Sequence, residues 1–152
     1  MASRAANRIP AILENLRGKG VGVIGLGADS RTIAPGEVFL AYPGARADGR
    51  QFIGAAIERG AAAVLWDSAG FVWNDTWRAP NLSVDDLRTV AGALADEVYG
   101  RPSGALRVVG VTGTNGKTTC SQWIAQAFAA LGRKTGVIGT LGSGFPSATA
   151  DS

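Results

Sequence analysis

Residues 107–128 read "RVVGVTGTNGKTTCSQWIAQAF", and the meaning of the whole chain turns on them. The apolar start, Leu106 to Val111, predicts a buried strand. Glycines at 110, 113 and 116 break the run, and the pattern from Lys117 to about Leu131 predicts a helix. Strand, glycine turn and helix in that order make an anion cradle: the glycines let successive backbone N–H groups point inward, and the helix start adds partial positive charge at the same place. In such a cradle Lys117 would reach the outer phosphates of a nucleotide and the hydroxyl of Thr118 would ligate Mg²⁺, with Gly113, Thr114, Asn115, Gly116 and Thr119 lining the remainder.

The strict phosphate-loop pattern wants a glycine five positions before Gly116, where this chain has Val111. A glycine-rich turn that binds nothing is the plain alternative. The wording of the loop is narrower than the general pattern, however: "GVTGTNGKTT" resembles the ATP loop of the Mur ligase family, whose T-G-T-N-G-K-T also lacks that first glycine. "GVIGTLGSG" at 136–144 is similar to the strand and loop that follow in the same family. The fold implied is α/β, a small N-terminal α/β domain followed by the beginning of a phosphate-loop domain with a parallel sheet.

Working toward the N-terminus, "GRPSG" at 100–104 is the expected boundary, dividing residues 1–100 from 101–152. Before it, Leu87, Val90, Ala91, Leu94 and Val98 recur at helical spacing, giving a helix from about Asp86 to Tyr99 behind a short strand in "NLSVDD". Residues 67–80 carry Trp73 and Trp77 among polar residues and read as loop. Val38 to Tyr42 and "AAAVLW", ending at Trp66, are strands; between them Asp48 is an expected N-cap, Phe52, Ile53, Ala56 and Ile57 share a helix face, and Gly60 closes it. A further helix over Ile9 to Leu16 stops at Gly18 and Gly20, and Thr135 to Ile138 is expected to be a strand paired through the helix to 106–111. Gly20, Gly22 and Gly25 fit a dinucleotide pattern, but they follow a helix and precede the Pro35-Gly36 turn, the wrong context for that use.

"ADSRTIAPGEVFLAYPGARADGRQFI" is similar to the N-terminal domain of the MurE branch of the family, in which D-S-R, P-G-x-x-F and D-G-x-x-F/Y-I recur in this order. That domain holds the uridine-diphosphate end of a muramoyl-peptide substrate. The resemblance implies UDP contacts at Ser30, Ala45, Arg46 and Ala47, where a hydroxyl and a guanidinium suit uracil oxygens or diphosphate. It also implies Lys117 as the catalytic group, ATP and Mg²⁺ as cofactors, and UDP-MurNAc-dipeptide with an amino acid, diaminopimelate or lysine, as substrates of a monomeric ligase. Without the resemblance, Asp29 to Arg31 would read as a turn cap and Arg46 as a solvated charge. The family's substrate-binding threonines, acidic Mg²⁺ ligand, modified lysine and amino-acid-selecting domain would lie beyond Ser152, so this chain by itself is not expected to ligate in a phosphate-release assay. Related loops in MurF, cyanophycin synthetase and folylpolyglutamate synthase, or a self-contained nucleotide module, are the competing readings.

Composition limits the classes. Hydrophobic residues make up 46% and charged residues 18%, enough apolar content to fold. The formal net charge of +3 comes from scattered Lys and Arg, which argues against nucleic acid as a partner. With no His, imidazole catalysis and His-ligated zinc are absent from this sequence. The single Cys120 cannot make an internal disulfide and is expected to be a small packed residue. Trp66, Trp73, Trp77 and Trp123 are likewise expected to pack. No apolar run has membrane-spanning or signal-peptide length, so a cytoplasmic location and no membrane contact are expected.

Overall fold

The computed structural model describes residues 8–45 and 47–145, which fall into two compact units, Met1–Leu106 and Arg107–Ser152. The first unit is built on a parallel sheet in the order β1-β2-β3-β4, with β1 at Leu26–Gly27, β2 at Val38–Ala41, β3 at Ala63–Asp67 and β4 at Asn81–Val84. Leu26 lies opposite Val38, Val38 opposite Ala63, and Val64 opposite Asn81. Helices α1 (Ile9–Gly18) and α3 (Leu87–Val98) supply Ile12, Leu16, Leu87, Val90 and Leu94 to one cluster, which takes in Val38 and Leu40 of β2 with Ala63 and Leu65 of β3. Phe39, Ala41 and Val64 belong to a second cluster, with Ile53 and Ala56 of α2 (Ile53–Glu58) and Ile33. Cover on both faces is why β2 reads as a continuous apolar run and all four of its residues are buried. Leu16, Leu65, Leu87 and Leu94 are fully enclosed, and burying each contributes about 1.5–3 kcal/mol.

The element ends follow local chemistry. After α1, Gly20 sits at φ +77° and Val21 N donates to Leu16 O at 3.0 Å, a left-handed glycine stop. Asp48 accepts from Arg50 N at 3.0 Å, so the expected cap is present, but it opens a 3₁₀ turn (Gly49–Phe52) that runs into α2. The connection from β3 to β4 is an aromatic patch: Trp66 stacks on Trp73 at 5.9 Å, and Trp73 meets Trp77 edge-on at 5.0 Å, all packed against the second cluster.

In the second unit, α4 spans Lys117–Ala130, and β5 (Val137–Gly139) pairs antiparallel with β6 (Gly142–Gly144). This corrects two expectations. Residues 106–111 form no strand, and the segment expected at Thr135 to Ile138 is displaced to Val137–Gly139 and paired forward in a hairpin. A parallel strand exists only through ladder bonds to a neighbour, and β5 satisfies its own with β6 across the tight Thr140–Leu141 connection. Val108, Val109 and Ile138 consequently stand exposed, as do Trp123 and Cys120, both expected to pack. No helix among the described residues is long and apolar enough to cross a membrane.

Candidate functional site

The glycine loop leads straight into α4. Gly113 has φ +142° and Gly116 φ +76°, conformations that side-chain-bearing residues rarely adopt. A Cβ at Gly116 would meet nothing within 4 Å, so backbone conformation and not space calls for glycine there. The first intrahelical bond runs from Cys120 N to Gly116 O at 2.9 Å, which leaves the amides of Lys117, Thr118 and Thr119 without helical acceptors. Fourteen residues of helix stand behind those amides, enough for the partial positive charge of a helix start. The loop from Gly113 to Thr119 is open to solvent throughout.

Lys117 folds back over this loop, its Nζ donating to Gly113 O and, at 3.3 Å, to Thr114 O. The ammonium thus stands above the cradle and neutralises the carbonyl dipoles that face it; an incoming phosphate would exchange those carbonyl contacts for stronger charged ones. Thr118 offers one exposed hydroxyl, and no cluster of three acidic, His or Cys groups exists among the described residues. One hydroxyl suits a magnesium ion whose other ligands are phosphate oxygens and water.

The second group of sequence-assigned residues lies in the first unit, where the segments after β1 and β2 leave the carboxyl ends of adjacent parallel strands, the edge at which open α/β sheets receive ligands. After β1, the Asp29 carboxylate accepts from Arg31 N (2.9 Å), Nε (2.9 Å) and Nη2 (2.7 Å). These bonds, the Arg31 side chain first, hold the Asp29 pKa down at about 2. Asp29 and Arg31 therefore close their own turn, and Ser30 between them is buried. After β2, Ala45 and Ala47 are exposed on a turn closed by Gly44 N to Ala47 O at 2.9 Å; Arg46 lies outside the described residues.

Two polar residues of this edge escaped sequence reasoning. Arg50 is buried, gripping Asp48 and donating to the carbonyls of Asp67 and Ala69. Asp67, also buried, accepts from Ala69 N (3.0 Å) and Leu87 N (2.9 Å), and so joins the end of β3 to the start of α3. Nothing in sequence announces Asp67; Arg50 belongs to the D-G-R motif, but its burial could not be read there.

Comparison with known proteins finds two family models that match the chain. The family model described as "Mur ligase family, catalytic domain" matches residues 23–99, and "Mur ligase middle domain" matches 111–151. The UDP-N-acetylmuramoyl-L-alanyl-D-glutamate–2,6-diaminopimelate ligase of Chromobacterium violaceum is 57% identical over 137 residues, which cover 90% of this chain and 27% of that protein. The protein of the same name from Nitrosomonas europaea is 60% identical over 121 residues, covering 80% and 23%. Among solved structures, a ligase of that name aligns with TM-score 0.60 at 28% identity, covering 83% of this chain and 25% of its own. MurF ligase of Thermotoga maritima, in complex with ADP, aligns with TM-score 0.52 at 31% identity, covering 72% and 24%. The chain spans about a quarter of the length of the curated relatives it matches.

Proposed function

This chain belongs to the Mur ligase family, and from that premise we propose that it carries the UDP-substrate site and the ATP loop of a cytoplasmic ligase that joins meso-diaminopimelate to UDP-MurNAc-L-Ala-D-Glu. Residues 1–100 would hold the UDP end through Ser30 and the 45–47 turn, and residues 101–152 the nucleotide. The observation that carries the reading is the loop at Gly113–Thr119: two glycines at positive φ, three free amides and an ammonium converge at the start of a long helix. The names of the relatives supply the substrate.

The chemistry asked of such a site is modest in kind. A substrate carboxylate oxygen attacks the γ-phosphorus of ATP and ADP leaves, giving an acyl phosphate; the amine of the incoming amino acid then attacks the acyl carbon, and inorganic phosphate departs as the amide forms with loss of a proton. Magnesium, when bound, screens the phosphate charges. Lys117 would stabilise the negative charge that builds on the transferred phosphoryl group, and the amides of 117–119 would hold the phosphates. Thr118 would add its hydroxyl to the ligands of a bound magnesium ion.

Nuclear magnetic resonance on the ¹⁵N-labelled chain tests both halves. Mg·ATP should shift the amides of residues 113–119 and leave 29–48 unmoved, an effect lost in Lys117→Ala; UDP should do the reverse, shifting 29–31 and 44–48. ATP binding is expected to be weaker than micromolar, because one loop and one helix offer phosphate contacts and little surface for adenine. Failure of both ligands to move their segments overturns the reading.

A further inference from the structure

Arg50 is far more enclosed than a surface loop would require, and every contact it makes is directional. Its Nε and Nη2 grip the two oxygens of Asp48 at 2.9 and 2.7 Å, while Nη1 donates to Ala69 O at 2.6 Å and Asp67 O at 3.2 Å. Its guanidinium carbon lies 5.1 Å from the centre of the Phe71 ring. One side chain therefore spans two connections at the carboxyl edge of the sheet, the one after β2 and the one after β3.

Asp48 is also the base of the exposed turn. It is bridged to Pro43, Gly49 N donates to Tyr42 O at 3.0 Å, and Gly44 N donates to Ala47 O at 2.9 Å. A Cβ on Gly44 would come within 2.9 Å of Ala47 O, and one on Gly49 within 2.9 Å of Tyr42 O, so the stem closes only with glycine at both positions. Ala45 and Ala47 carry no polar side-chain atoms, so any hydrogen bond they give a ligand must come from the main chain. For such a turn, affinity depends on how accurately the backbone is held. An apolar residue would fill the space of Arg50 without the desolvation that a buried charge carries. What the guanidinium adds is a fixed direction for Asp48.

We propose that Arg50 is a positioning residue: through Asp48 it sets the Gly44–Ala47 turn in the shape that receives the UDP end of the substrate. This rests on the reading of that turn as a UDP contact. Asp48→Asn, Arg50→Lys and the double variant, each in the 152-residue chain, are to be titrated with UDP and separately with Mg·ATP by amide shifts, well below the melting temperature. Each single substitution should weaken UDP roughly tenfold, the loss of one charge-assisted hold, and the double no more than the weaker-binding single, because both break one brace. Shifts caused by Mg·ATP at 113–119 should be unchanged, and the amide resonances of α3 (Leu87–Val98), in the same unit as Arg50, should stay at their parental positions, which a loss of fold in that unit would not permit. Folded single variants that bind UDP as tightly as the parent overturn the proposal, and so do losses that simply multiply in the double. Should Arg50→Lys not fold, Asp48→Asn alone decides, since it leaves the arginine in place. If the parent chain binds no UDP, the reading of the turn falls and the proposal with it; if the parent binds and the variants match it, only the proposal falls.

Discussion

At the scale of single residues, the first unit is tied together by carboxylates at the carboxyl edge of its sheet. The Arg50 side chain, through its hydrogen bonds, holds the Asp48 carboxyl below the usual aspartate range, against a smaller opposing effect of desolvation. A carboxyl lowered in the folded state adds stability that is fully present above the unfolded pKa of about 4 and is lost as pH falls through the folded value. Asp48→Asn should therefore be less stable than the parent at neutral pH and should lose less on going from pH 5 to pH 2; urea midpoints across that range measure it, and parallel acid limbs would contradict it. Sequence showed Asp48 as a cap but concealed what holds its partner Arg50 in place, because a contact between positions 50, 67 and 69 exists only once two strands are side by side. Lys117 was legible for the opposite reason: loop, ammonium and helix start are neighbours along the chain, and their geometry is local.

At the scale of elements, helices α1 and α3 were readable from spacing alone, since Ile9, Ile12 and Leu16, like Leu87, Val90 and Leu94, fall on single faces and all six are buried. Strand β2 was readable because both of its faces are covered. The failure at 106–111 has the same physics turned round. An apolar run states that a segment wants burial and says nothing about which partner supplies it, and here β5 turned to β6. Energetic consequences differ accordingly. Leu94→Ala in α3 should cost about 2–5 kcal/mol, whereas Ile138→Ala in β5, where the side chain is 91% exposed, should change stability by less than about 0.5 kcal/mol. Chemical denaturation followed by far-ultraviolet circular dichroism separates the two; comparable losses would contradict the assignment of the core to the first unit.

At the scale of the whole molecule, the two units are unequal in how they hold themselves together. The first has helices on both faces of a four-stranded sheet; the second has, among its described residues, one helix, a two-stranded hairpin and a row of exposed apolar side chains including Val108, Leu131, Ile138, Leu141 and Phe145. An isolated two-stranded hairpin is marginal in water. Amide hydrogen exchange should find strands β2 (38–41) and β3 (63–67) protected to near the global unfolding limit and residues 107–145 exchanging orders of magnitude faster; equal protection would contradict this account. The tryptophans are divided along the same line. Three are clustered and half-buried on β3 and its connection to β4, while Trp123 stands in water on α4, about one turn beyond the glycine loop. The chain therefore carries a built-in optical label on the helix that follows the glycine loop. Its emission should be red-shifted and open to acrylamide while the clustered indoles stay shielded, so events at either unit can be followed by colour and quenching with no dye attached.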